Sequence, residues 1–206
     1  MSKFENLKAD NNTIAAVVLN GERYKGKIIA DYIVGVDGGY DKTSYCDIFV
    51  GDKDSVPGVI SCDKQILLNV EKDESDMEIA VNYLLANEIK NMHFYGVLGG
   101  RIDHVLANLG IMAKCVQNGI NVVAYCNDCD IYMTSDSLKL AVVENSLISL
   151  SPFTDTVHII SLEGVKWELF DCDIYKTSSR TISNVAVKKQ IQLNVDFGIV
   201  MVIVNK

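Results

Sequence analysis

The first two-thirds of the chain alternates short, continuously apolar runs with Gly- and Asp-rich turns, and this limits the fold more than any other feature. The runs cover residues 13–19, 32–36, 48–50, 66–70, 91–97 and 122–126. A strand with one wet face alternates apolar and polar residues, whereas a strand buried on both faces does not. The pattern therefore predicts a mostly parallel sheet with helices packed on it. One helix is announced by Ser75-Asp76-Met77-Glu78, a capping box ahead of Ile79, Ala80, Tyr83 and Leu84, which share a face. A second is predicted over 102–117, with Ile102, Val105, Leu106, Leu109, Met112, Ala113 and Val116 as its apolar face and Gly119 as its stop. After residue 134 the texture changes. Runs at 138–140, 147–150, 157–162, 167–170, 181–187, 190–195 and 198–204 are separated by turn residues, with no helix between them. The expected architecture is α/β over 1–134, a mostly parallel sheet with flanking helices. A smaller all-β sandwich is expected over 135–206.

A chain of 206 residues with 49% hydrophobic and 22% charged residues buries an ample core. Its net charge of -8 argues against a protein that holds nucleic acid by its phosphates. Phosphate ligands remain open, because carboxylates hold Mg²⁺ and Mg²⁺ holds phosphates. No run approaches the roughly 20 apolar residues that span a bilayer, and the polar start lacks the pattern of a signal peptide. A cytoplasmic protein with reduced cysteines is expected. The pair Cys126-Asn127-Asp128-Cys129 lacks the second half of a zinc site and does not open a helix, so it reads as ordinary cysteines near a strand end.

Where the acids sit matters more than how many there are. Asp37 follows the second run, Asp52 and Asp54 the third, Asp73 and Asp76 the fourth, and Asp103 the fifth. In a parallel sheet the C-terminal strand ends share one edge, where ligands bind. Carboxylates converging there repel one another unless a cation is present, and Mg²⁺ suits such oxygens. Asp52 and Asp54, two apart in an extended stretch, face the same side. Taken singly, Asp37 is also explained as a turn residue and Asp76 as a helix N-terminal charge. Gly38-Gly39, Gly51 and Gly99-Gly100 fall on the same rim, where they permit close backbone approach. Gly99-Gly100 precedes a helix N-terminus, which favours anions, and Arg101 can fork to phosphate oxygens. No Walker A lysine motif and no GxGxxG is present.

At these residues the chain resembles the thiamine pyrophosphokinase family. The resemblance lies in Leu19-Asn20-Gly21-Glu22, Val36-Asp37-Gly38-Gly39, Gly51-Asp52-Lys53-Asp54-Ser55, Lys72-Asp73-Glu74-Ser75-Asp76-Met77-Glu78 and Gly99-Gly100-Arg101-Ile102-Asp103-His104-Val105-Leu106-Ala107-Asn108. It is weaker toward the C-terminus, through 164–169 and Ser183-Asn184. It implies transfer of the pyrophosphoryl group of ATP to the hydroxyl of thiamine, releasing AMP. It also implies an α/β domain for ATP, a β-sandwich, and a homodimer with thiamine near the subunit interface. By this resemblance Asp52, Asp54 and Asp76 hold Mg²⁺. Asn20, Asp37, Gly38, Gly39, Gly99, Gly100 and Arg101 bind ATP. Asp103, Arg101 and Asp73 are catalytic candidates, and Asp103, Ser183 and Asn184 touch thiamine. The chain departs from the family pattern in having Val36 before Asp-Gly-Gly, Ser75 before Asp76, and Arg180 and Ile182 ahead of Ser183.

From the residues themselves, His104 reads as structural or solvent-facing. Trp167, the only tryptophan, reads as a sandwich core residue. A Mg-dependent nucleotidyl or glycosyl transferase also uses Asp-x-Asp, and a nucleotide- or thiamine-binding sensor is the non-enzymatic alternative.

Overall fold

The computed structural model describes residues 7–52, 60–68 and 73–206. The chain forms two compact units, Met1–Cys126 and Asn127–Lys206.

The first unit is built on strands β1 (Ile14–Val18), β2 (Tyr32–Val36), β3 (Ile48–Gly51), β4 (Lys64–Leu67), β5 (Asn91–Tyr95) and β6 (Asn121–Tyr125). They lie in the order β6-β5-β1-β2-β3-β4, and every pairing is parallel. Five of the six apolar runs coincide with strands, as a parallel sheet buried on both faces requires; the fourth, read at 66–70, meets β4 only at Ile66 and Leu67, because β4 is an edge strand whose residues alternate between half-buried and exposed. Helix α1 (Asp76–Ala86) packs on β1, β2 and β3, and α2 (Ile102–Gln117) packs on β6 and α1. The Ser75 side chain accepts from the Glu78 N–H at 3.2 Å, so the capping hydroxyl read from the sequence sits where it was expected. Lys114 Nζ ties the two helices together, 2.8 Å from Glu78 Oε1.

The connection from β1 to β2 contains no helix. Its Tyr24, Ile28 and Ala30, with Ile33 and Tyr125, cover a small cluster of Ala16, Val18 and Tyr95. A single extended segment thus shields apolar side chains that a helix covers in a more regular fold of this class.

The α2 boundaries match the sequence reading, and its apolar face is buried as expected only in the C-terminal half. Ile111, Met112, Ala113, Cys115 and Val116 are buried, while Ile102 and Leu106 are 70% and 63% exposed. Only the C-terminal half packs on the core, because the first turns line a cleft instead.

The second unit is a sandwich of antiparallel sheets. Its strands are β7 (Cys129–Thr134), β8 (Leu138–Ala141), β9 (Leu147–Pro152), β10 (Thr156–Glu163), β11 (Leu169–Tyr175), β12 (Asn184–Val185), β13 (Gln190–Phe197) and β14 (Val200–Asn205). One layer runs β12-β9-β14-β7 and the other β11-β10-β13-β8. Leu150, Ile159, Leu162, Leu193 and Val202 belong to its buried core. The division between units falls before β7, earlier than the 134/135 boundary read from the change of texture. β7 pairs along its whole length with β14, from Val200↔Thr134 to Asn205↔Cys129, so it belongs with the sandwich. None of the six cysteines is in a disulfide among the described residues. No helix among the described residues is long and apolar enough to cross a membrane.

Candidate active site

In the first unit the strand order reverses direction at β1, which has β2 on one side and β5 on the other. Their C-terminal ends diverge there into separate loops, and a crevice opens between them. A cleft of about 550 Å³ occupies this point. Its walls come from Leu19, Asn20 and Gly21 after β1, and from Val36 and Asp37 at the end of β2. The segment 99–108 after β5 and the start of α1 complete it.

Backbone hydrogen bonds hold this rim together. Leu19 N–H donates to Tyr95 O at 2.8 Å, Gly21 N–H to Gly96 O at 3.0 Å, and Glu22 N–H to Leu98 O at 2.6 Å. The ammonium of Lys42 donates to the Gly21 carbonyl. Asn108 Nδ2 donates to Val97 O at 3.2 Å, tying α2 to the loop that precedes it.

Asp37 opens a short 3-10 helix, Asp37–Lys42, that the sequence reading treats as a turn. Gly39 makes this approach possible, since a Cβ there would stand 2.0 Å from the Val18 carbonyl oxygen. Asp37 itself has φ +51°, in the left-handed region. That conformation is uncommon for a residue with a side chain. One of its carboxylate oxygens is buried and has no hydrogen-bond partner among the described residues. A strained backbone and an unsatisfied buried oxygen each cost free energy, and such costs concentrate at functional sites.

Asp76 lines the same cleft from the first turn of α1. Across from it, Arg101 and Asp103 form a bidentate pair, Nε–Oδ1 at 3.2 Å and Nη2–Oδ2 at 2.5 Å. Both side chains are well exposed, 75% and 59%. The hydrogen bond from Arg101 holds the Asp103 carboxyl below the usual carboxylate range. His104 is exposed and lines the cleft beside them.

Of the residues singled out from the sequence, Asn20, Asp37, Asp76, Gly99, Gly100, Arg101 and Asp103 thus line one cleft. Gly38 and Gly39 are buried behind it. Asp52 follows β3, is half-buried, and is not part of the cleft wall. Asp73 is exposed ahead of α1 and also outside the wall. Asp54 lies outside the described residues. Ala107 and Asn108 line the cleft too, although neither carries a charge that would single it out in the sequence.

Family models for the thiamin pyrophosphokinase catalytic domain and for the thiamin pyrophosphokinase vitamin B1 binding domain match residues 28–124 and 135–200. The chain belongs to the thiamin pyrophosphokinase family. It is 29% identical over 135 residues to the thiamine pyrophosphokinase of Bacillus subtilis (strain 168). That alignment covers 65% of this chain and 63% of the relative, less than two-thirds of its length. The crystal structure of thiamine pyrophosphokinase from Bacillus subtilis superposes with a TM-score of 0.80 at 23% identity, covering 94% of this chain and 99% of that one. The enzyme from Candida albicans has the same fold, with a TM-score of 0.75 at 15% identity, covering 95% and 90%. The readings as a nucleotidyl or glycosyl transferase, or as a sensor, find no support in these matches.

The family's second module has its own groove here, of about 730 Å³, lined by residues 166–169, 180–184 and Leu150. Ser183 and Asn184 both line it. Asn184 is buried, and its amide is used inside the protein. Its Oδ1 accepts from Trp167 N–H at 3.1 Å and from Val185 N–H at 2.9 Å, while its Nδ2 donates to Trp167 O at 2.8 Å. Asn184 therefore brackets the backbone of Trp167. Ser183 has φ +58°, and its N–H donates to Ser149 Oγ at 2.9 Å. Trp167 is not the core residue read from composition. Its side chain is 55% exposed on the groove, with Lys166 Nζ 4.7 Å above the ring. The bracket fixes the Trp167 backbone beside the groove that its ring lines.

Proposed function

We propose that this chain transfers the pyrophosphoryl group of ATP to thiamine, giving thiamine diphosphate and AMP. Family membership supports this, and the cleft at the sheet's switch point is the observation that carries it. There an unsatisfied Asp37 oxygen and the Asp76 carboxylate stand opposite an arginine at a helix start. The described residues contain no group of three side chains able to hold a metal by themselves. Mg²⁺ does not need such a cage, since it binds through one or two carboxylates together with substrate phosphates and water. Asp37 and Asp76 fit that requirement and would hold it, with Asp52 and, outside the described residues, Asp54 as further candidates read from the sequence. When bound, the ion neutralises charge on the phosphates.

In the reaction the thiamine hydroxyl oxygen attacks the β-phosphorus of ATP. The new O–P bond forms as the bond from that phosphorus to the α,β-bridging oxygen breaks, and AMP leaves with the oxygen. Such transfers depend on positioning and charge stabilisation more than on strong base catalysis. Arg101, exposed at the start of α2, is placed to bind phosphate oxygens, and Asp103 holds its guanidinium in one orientation. An Asp103 with lowered proton affinity suits orienting the hydroxyl better than stripping its proton. The proton passes to solvent.

In the sandwich, the face of Trp167 is the best platform for the thiazolium ring, a permanent cation. The ammonium of Lys166 now occupies that face, so thiamine has to displace it. We further propose that the protein works as a cytoplasmic homodimer. Ile160, Phe170 and Phe197, all large and exposed on the β10-β11-β13 sheet, support an apolar contact with a second copy.

Incubation with ATP, Mg²⁺ and thiamine tests the reaction. The expected products are thiamine diphosphate and AMP. Thiamine monophosphate and ADP would show single-phosphoryl transfer and refute the proposal.

A further inference from the structure

The segment that carries Trp167 lies against residues 184–187 as a short antiparallel pair. Val165 stands opposite Ala186 in an isolated bridge. Lys166 N–H donates to Val185 O at 2.8 Å, and Val187 N–H donates to Gly164 O at 2.9 Å. By the same register Trp167 falls opposite Asn184, and there a side chain takes over from the backbone. The Asn184 amide meets both the N–H and the C=O of Trp167, at 3.1 and 2.8 Å. A primary amide is suited to this, because it is neutral and sets an acceptor beside a donor in one plane, as a peptide does. Asn184 thus extends the ladder by the equivalent of one peptide.

Asn184 is itself anchored. It pairs with Ile148 of β9, and its neighbour Ser183 is tied to Ser149. Thr181 exchanges two hydrogen bonds with Leu150, accepting from its N–H at 2.9 Å and donating from Oγ1 to its carbonyl at 2.8 Å. The amide therefore projects from the sandwich and not from a free loop. Its hydrogen-bonding capacity is also nearly spent. A primary amide accepts two hydrogen bonds and donates two. Oδ1 uses both of its places, on Trp167 N–H and Val185 N–H, and Nδ2 gives one hydrogen to Trp167 O. The residue is only 8% exposed. Resemblance to the family implies that Asn184 touches thiamine, whereas the partners of its amide point to a different task.

We propose that Asn184 is a positioning residue, which contacts no substrate and serves thiamine by holding the Trp167 ring in place at the groove. This rests on the reading of that groove as the thiamine site. An aromatic face attracts a cation within about 6 Å of its centroid, so the ring has to stand where the thiazolium arrives. With its N–H and C=O both fixed, Trp167 has only its side-chain rotamers left to choose among. A ring ordered before binding loses less freedom when the ligand comes. The face held in this way is open to a cation, since Lys166 Nζ already stands 4.7 Å from its centroid.

The test uses the ring itself, because Trp167 is the only tryptophan and selectively excited emission reports it alone. In Asn184→Ala the anisotropy of that emission should fall in the free protein, as the ring gains freedom. The kcat/KM for thiamine, which stays measurable when binding is weak, should fall roughly tenfold, as for the loss of a well-placed cation–π contact. Thermal melts verify folding. Asn184→Asp, which keeps the shape and both acceptor places and lacks the Nδ2 donor, should move both readouts in the same direction and serves if the alanine variant does not fold. A double-mutant cycle then separates the two roles. Beside Trp167→Leu, the further change Asn184→Ala should alter kcat/KM by less than about twofold, since no ring remains to be placed. A tenfold loss that persists without the ring would mean direct contact with thiamine and overturns the proposal. So does unchanged anisotropy in both Asn184 variants. Failure of the native Trp167 emission to respond to thiamine would instead refute the reading of the groove on which the proposal rests.

Discussion

Asp37 concentrates the conflict between stability and function in one residue. It holds a left-handed backbone and a buried carboxylate oxygen with no hydrogen-bond partner among the described residues. Neither feature helps folding, and both make sense if a cation and phosphates complete the site. Asn is the informative replacement, because it has the same shape and tolerates the left-handed region. Asp37→Asn removes the buried charge and should stabilise the free protein by about 1 kcal/mol, or roughly 2–4 °C in Tm. The same change should reduce turnover by about 10²-fold or more. Differential scanning calorimetry and a thiamine diphosphate assay check the pair of effects. A variant that loses stability and keeps activity would remove Asp37 from the site. Asp37 was legible in the sequence as a candidate because an acid followed by two glycines at a strand end is a recognisable pattern. Asn184 was legible only as a motif position. Its use as a bracket for Trp167 depends on a partner 17 residues away, which no local pattern reveals.

At the level of elements, the hydrophobic period placed both helices and most of the strands, but it set the fourth strand at 66–70 where β4 is Lys64–Leu67, and it gave no run for β7 (Cys129–Thr134). The first turns of α2 carry apolar residues at helical spacing, yet Ile102 and Leu106 stay exposed, while Asp103, His104, Ala107 and Asn108 of the same turns line the cleft. Trp167 likewise stays outside the sandwich. The β10-β11 pair carries a testable electrostatic feature. His158 on β10 stands directly across from Asp173 on β11, with Nδ1 2.7 Å from Asp173 Oδ1 and Nε2 3.3 Å from Asp171 Oδ1. The Asp173 hydrogen bond, with Asp171 and Asp196 contributing charge, holds the imidazole above its ordinary pKa of 6.5. A group whose pKa is raised on folding stabilises the protein fully below its unfolded value, and that contribution fades as pH rises through the folded value. Denaturant midpoints of the native protein should therefore fall, relative to those of His158→Gln, as pH is raised from below 6.5 through the shifted value. Parallel pH profiles for the two proteins would show that the pair contributes nothing.

For the whole molecule, charge decides the behaviour. A chain of net charge -8 whose proposed ATP cleft presents Asp37, Asp76 and Asp103 repels ATP unless a divalent cation intervenes. Chelation of divalent metal with EDTA should bring turnover to background, and added Mg²⁺ should restore it. Turnover unchanged in excess chelator would exclude the metal-bridged binding of ATP. The acidic composition suggested such a cleft.

The amino-acid sequence alone determined the order and kind of most elements, the capped start of α1, and the Gly- and Asp-rich ends of the strands. These follow from local rules, namely side-chain period, capping and the backbone freedom of glycine. The tertiary structure decided which of those strand ends meet. The order β6-β5-β1-β2-β3-β4 places the loops after β1, β2 and β5 around one crevice, so Asp37 and Arg101 share it while Asp52 and Asp73 lie outside its wall. It also decided that Asn184 serves Trp167. Each of these depends on partners distant in the chain. Strand pairing and burial bring such partners together, and local periodicity does not encode them.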